Sequence, residues 1–112
     1  MMTDFIGKTA AVTGSSGIGL GAALHLARSG ARVFLAGIDA GLNDEAAALA
    51  ASEGLDLTLH QVDVADENSV RSWAGQIAGE TDVLHALVNA AGQQTYGTVE
   101  DTGPADWTIA WR

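Results

Sequence analysis

The 112-residue sequence contains no cysteine, which excludes disulfides, a thiolate nucleophile and any cysteine-based metal site. Bases are scarce: five lysines and arginines stand against 14 acids, for a formal net charge of -9. That balance excludes a nucleic-acid binder held by phosphate contacts and argues against docking on an anionic membrane surface. Long apolar runs are missing, and the opening Met1-Met2-Thr3-Asp4-Phe5 carries an early acid. Neither a signal peptide nor a membrane anchor is expected, and a cytoplasmic location is the default. Proline occurs once, whereas glycine occurs 14 times. With 47% hydrophobic residues the chain can build a core, and its length suits a single domain over residues 1–112, or part of one.

Segment types alternate along the chain. Thr9-Ala10-Ala11-Val12 reads as a buried strand that ends at Thr13-Gly14. From Gly17 to Ser29, Ile18, Ala22, Leu26 and Ser29 recur at helical spacing, and Gly30 is a left-handed stop. Arg32 to Ala36 is a second strand. Asp44 to Glu53 is an alanine-rich helix, with Asn43 as N-cap and Gly54 as stop. Leu57 to Val62 is a third strand. Asp66 caps a helix whose Val70, Trp73, Ala74 and Ile77 share one face, ending at Gly79. Val83 to Val88 is a fourth strand, followed by a polar loop to Gly103 and a further helix start at Pro104, with Trp107 and Trp111 on one face.

The order βαβαβαβ implies a parallel sheet with right-handed crossovers, and strands that are nearly all apolar imply cover on both faces. The expected fold class is α/β: a Rossmann-like, doubly wound, three-layer sheet with strand order 3-2-1-4, incomplete at its far side. In such a fold Val83 to Val88 forms an unprotected edge, so self-association through that strand is expected.

Thr13-Gly14-Ser15-Ser16-Gly17-Ile18-Gly19 lies between a strand and a helix. Glycines there permit a tight turn and let a pyrophosphate approach backbone N–H groups at a helix start, where a side chain at Gly19 would obstruct it. A strand-to-helix turn with close packing and no ligand is the alternative. Asp39, 20 residues beyond Gly19, stands at the separation of a ribose-binding acid, or is a turn aspartate. The histidines His25, His60 and His85 are scattered and read as packed or surface residues. Asp63, Asp66 and Glu67 lack the spacing of a calcium loop, so no metal site is expected.

These residues resemble the short-chain dehydrogenase/reductase family, over essentially the whole chain. The family's T-G-x-x-x-G-x-G appears here as Thr13 to Gly19, one residue short. Asp4 to Thr9 is similar to its lead-in to the first strand, and Gly97 and Trp107 fall where members often have them. Asp63-Val64 looks like the pair that holds the adenine ring, although Asp63 alone reads as a turn residue before the Asp66 cap. Asn89-Ala90-Ala91-Gly92 looks like N-N-A-G, in which the asparagine braces the sheet and the small residues leave room for a ribose; a plain strand-to-loop turn is the alternative.

The resemblance implies a nicotinamide dinucleotide as cofactor and partner, NAD or NADP, held by Gly14, Ser15, Ser16, Gly17, Ile18, Gly19, Asp39, Asp63, Val64, Asn89, Ala90, Ala91 and Gly92. Gly37 stands where NAD-preferring members carry an acid. Ile38 and Ser15 stand where NADP-preferring members carry bases. Asp39 would repel a 2′-phosphate, which leans the choice to NAD.

The resemblance also implies hydride transfer with a Tyr-x-x-x-Lys pair, a serine and an asparagine. No catalytic residue can be assigned here: the only tyrosine, Tyr96, is followed four residues on by Glu100, and the only lysine is Lys8. The expectation is therefore the cofactor-binding portion of an oxidoreductase, not catalytic as this chain alone. The alternatives are a non-enzymatic nucleotide-binding or interaction module, or a fragment completed by a separate C-terminal polypeptide.

Overall fold

The structure, a computed structural model, describes residues 4–92. Its elements are β1 (Thr9–Thr13), α1 (Gly17–Arg28), β2 (Arg32–Gly37), α2 (Ala40–Ser52), β3 (Leu57–Gln61), α3 (Glu67–Ala78) and β4 (Ala86–Asn89). The strands form one parallel sheet in the order β3-β2-β1-β4. Ala11 lies opposite both Phe34 and Leu87, and Phe34 lies opposite Thr58. Order, direction and element sequence are those expected.

Side-chain alternation along the strands divides the core into two layers. Ala10, Val12, Val33 and Leu35 pack with Ala23 and Ala27 of α1 and Ala46 of α2. Ala11, Phe34 and Ala36 face the other way, toward Val62 and Trp73 and Ile77 of α3. Alanine on both sides of the first layer lets α1 and α2 lie close to the sheet. Cover on both faces holds for β1 and β2, whose residues are buried but for Arg32. It does not hold among the described residues for β3 or β4, where Leu87 is exposed.

Several boundaries differ from the sequence reading. The core stripe of α1 is Gly19, Ala23, Leu24 and Ala27, and Ile18 points to solvent at 84% exposure. Helix α2 begins four residues early. Its N-cap is Asp39, whose carboxylate accepts the Leu42 N–H at 3.0 Å, and Asn43 lies inside the helix on the buried stripe with Ala46 and Ala50. Gly41 weakens that first turn as helix, and the Asp39 cap offsets the loss.

Strand β4 is shorter than the apolar run and shifted toward its end. Thr81 Oγ1 donates to the Val83 carbonyl at 3.1 Å, and Val83 lies outside the strand. His85 then joins the edge of β1 with its ring: Nδ1 accepts the Thr9 N–H at 3.0 Å, while its own backbone N–H donates to the Thr9 carbonyl at 2.8 Å. Helix α3 has the expected bounds, capped by Asp66 and ending at Gly79, but of its expected apolar face only Trp73 and Ile77 are buried, while Val70 and Ala74 are exposed. The helix start at Pro104, with Trp107 and Trp111, and the positions Tyr96 and Gly97 lie outside the described residues.

Candidate nucleotide site

The carboxyl ends of the strands open into a cleft of about 340 Å³. Parallel strands bring four sequence-distant loops to this one edge. Gly14, Ser15 and Ser16 come from the end of β1. Gly37 ends β2, Ile38 and Asp39 follow it, and Leu42 comes from α2. Val62 to Ala65 follow β3, and Ala90, Ala91 and Gly92 follow β4.

The glycine loop is held by backbone approach on two sides. Gly14 has φ +100, and a Cβ there would lie 3.2 Å from the backbone of Ala90 and Ala91. Its N–H donates to the Ala36 carbonyl at 2.8 Å. Thr13 ties this loop to the one after β4: its buried hydroxyl oxygen accepts from the backbone N–H groups of Ala90 and Ala91 at 3.1 and 3.2 Å. Gly17 has φ +55, a left-handed conformation at the first residue of α1 that favours glycine. Ser16 caps α1 by position alone, with no side-chain bond to the helix, and the first turn carries no acid. The helix therefore presents its N–H groups and positive dipole end without a side-chain anion.

Not every expected residue lines the cleft. Gly14, Ser15, Ser16, Asp39, Asp63, Val64, Ala90, Ala91 and Gly92 do; Gly17, Ile18, Gly19 and Asn89 do not. Gly19 is glycine for a reason within the loop as well. A Cβ at Gly19 would run into Gly14 O, and would stand 2.9 Å from both Gly14 C and Thr13 O. The loop's own backbone already excludes a side chain there. The Asn89 side chain is exposed, and its place in the sheet is a backbone register opposite Thr13.

The two cleft carboxylates also have structural work. Asp39 Oδ1 accepts from Leu42, and Asp63 Oδ1 accepts the Ala65 N–H at 2.9 Å, while Ser69 Oγ accepts the Asp63 N–H at 3.0 Å. Each aspartate closes a turn with one oxygen and also borders the cleft. Ile38, Leu42, Val62 and Val64 supply apolar wall suited to a flat ring, and among the described residues no lysine, arginine or histidine lines the cleft.

Sequence reasoning missed Asn43. Its side chain is 6% exposed, and its Nδ2 donates to Gly37 O at 2.9 Å and His60 O at 3.4 Å. The available signal was a polar residue in register with the alanine stripe of α2.

Residues 12–112 match the family model described as enoyl-(acyl carrier protein) reductase. The chain is similar to D-threitol dehydrogenase of Mycolicibacterium smegmatis, 42% identical over 106 residues, covering 90% of this chain and 39% of that protein. Among solved structures, it resembles a citronellol catabolism dehydrogenase of Pseudomonas aeruginosa with a TM-score of 0.88 and 30% identity, covering 98% of this chain and 45% of that one. It shares its fold with an actinorhodin polyketide ketoreductase solved with NADPH, at a TM-score of 0.86 and 24% identity, over 98% of this chain and 42% of the other. The chain spans about two fifths of the length of these curated relatives.

Proposed function

The chain belongs to the short-chain dehydrogenase/reductase family, and we propose that its described residues form the nicotinamide-dinucleotide site of an oxidoreductase acting between carbonyl and alcohol. One observation carries the reading: the glycine loop, up to the Ser16 N-cap of α1, and the strand-end loops of β2, β3 and β4 meet at a single cleft. Residues so placed suit each part of a dinucleotide. Backbone N–H groups of Ser15, Ser16 and the α1 start would take the pyrophosphate. The free oxygen of Asp63 and the backbone of Val64 would take the adenine. Gly37 and Asp39 would border the adenosine ribose, and Ala90 to Gly92 would leave space for the second ribose. The bound cofactor would supply hydride chemistry; the chain's own residues bind and orient it.

The cleft favours NAD over NADP. Among the described residues Asp39 and Asp63 line it without a base, so a 2′-phosphate would find two carboxylates there and no cation to neutralise it. The chain contributes the cofactor-binding part and brings no Tyr-x-x-x-Lys pair of its own. Isothermal titration of the intact chain should show NAD binding at least about tenfold tighter than NADP. The same protein mixed with NAD and a panel of secondary alcohols should form no NADH above background. Tighter binding of NADP would reverse the cofactor assignment, and cofactor-dependent turnover would reveal catalytic groups elsewhere in the chain.

A further inference from the structure

The end of β2 contains a small polar arrangement that the dinucleotide reading does not use. A Cβ built on Gly37 would collide with two oxygens, Ser15 Oγ and Asn43 Oδ1, and would stand 2.6 Å from Ser15 Cβ. The place for a strand-end side chain is therefore already taken, by a hydroxyl from the glycine loop. Asn43 cannot turn its amide over: Nδ2 faces the carbonyls of Gly37 and His60, and an oxygen in its place would face two acceptors. Oδ1 is thus directed to the Gly37 side, where it is buried and has no hydrogen-bond partner among the described residues. A buried carbonyl oxygen calls for a donor, and the Ser15 hydroxyl borders the same space.

Resting on the dinucleotide reading above, we infer that Asn43 is a positioning residue that draws the Ser15 hydroxyl hydrogen to itself and leaves Ser15 as a hydrogen-bond acceptor facing the cleft. An acceptor there pairs with a ribose hydroxyl, which donates. It cannot pair with a ribose phosphate dianion, which only accepts. The selection acts through hydrogen-bond polarity and adds to the repulsion from Asp39 and Asp63. It gives Gly37 a reason to be glycine in this chain, since any side chain there would displace Ser15.

The test compares adenosine 5′-monophosphate with adenosine 2′,5′-bisphosphate, titrated into the intact chain and followed by amide chemical shifts, which report weak binding. The monophosphate should bind more tightly. Asn43→Leu should reduce that preference about fivefold to tenfold, the worth of one hydrogen bond, because the freed hydroxyl can donate to phosphate. In a Ser15→Ala background the same substitution should leave the preference unchanged, an outcome that general loosening of the loop does not produce. Should Asn43→Leu fail to fold, Ser15→Ala carries the test: it must lower the preference for the monophosphate. An unchanged preference in Asn43→Leu, or an equal change with and without Ser15, overturns the inference and leaves the site reading standing. Failure of both nucleotides to shift the amides of Gly14 to Ser16 or of Asp63 and Val64 overturns the site reading and this inference together.

Discussion

At the start of α3, Asp66 accepts the Asn68 N–H at 2.9 Å, and Glu67 adds an acid in the first turn. At the start of α1, the capping position is Ser16, whose hydroxyl bonds no helix N–H, and the turn that follows is Gly17-Ile18-Gly19-Leu20 with no acid. Both helices are three turns long and pack on the same sheet, on opposite faces. An aspartate cap satisfies a free N–H and places negative charge at the positive end of the helix dipole. The start of α3 is closed in this way for stability. The start of α1 forgoes that contribution and leaves its N–H groups without a side-chain acceptor, beside the cleft built by the neighbouring loops, as the proposed dinucleotide site requires.

The contrast can be broken most strongly at Gly19. Gly19→Val forces a branched side chain against the Gly14 and Thr13 backbone, and should cost about 1–3 kcal/mol as an overpacked site. The loop shift should also abolish nucleotide binding. Thermal denaturation followed by circular dichroism measures the first effect and titration with NAD the second. Unchanged stability would mean that the loop has room the structure does not show.

The capped start offers the next largest effect. Asp66→Ala should lower stability by about 0.5–2 kcal/mol with nucleotide affinity intact, since Asp66 is outside the cleft. A fall in affinity matching the fall in stability would mean that the two helix starts are not independent.

Ser16→Asp sharpens the comparison by making α1 start as α3 does. A carboxylate at that N-cap should stabilise the fold by about 0.3–1 kcal/mol while weakening nucleotide binding through charge repulsion and competition for the same N–H groups. Opposite signs for the two effects are the expected outcome; improved binding would remove the phosphate role of this helix start.

The far end of α1 gives the smallest effect. Arg28 there bonds both carboxylate oxygens of Glu53, the C-cap of α2, at 2.7 and 2.6 Å. That hydrogen bonding, aided by the guanidinium charge, holds the Glu53 carboxyl below its ordinary value. The folded value lies below the unfolded one, so the contribution is fully present above the ordinary glutamate range near ~4.3 and is lost as pH falls through the lower folded value. Glu53→Gln should therefore flatten the acid limb of the melting temperature against pH slightly and leave neutral pH nearly unchanged, because the pair is exposed. An unaltered acid limb would show that this pair contributes nothing.

Much of the fold is legible in the sequence because its strongest signals are local. Apolar runs, glycine stops and the Asp66 cap mark elements whose order alone implies a parallel sheet; the strand order 3-2-1-4 is expected only through the dinucleotide-binding fold that the glycine loop suggests. The cleft is legible to the extent that parallel topology forces strand ends together, which is why Gly14, Ser15, Ser16, Asp39, Asp63, Val64 and Ala90 to Gly92 meet there. What the tertiary structure decided are the residues whose roles depend on a neighbour distant in sequence. Gly19 must lack a side chain because the helix start folds back on the Gly14 and Thr13 backbone. Asn43 looked like a cap, and became a buried tie once Asp39 took the capping position and turned it toward Gly37 and His60. His85 looked like an isolated polar residue in an apolar run, and its ring acts as an acceptor for the first N–H of β1. Period and composition report which face of an element a side chain takes, but a hydrogen bond needs its partner's position within a fraction of an ångström, and only the assembled sheet and helices determine that.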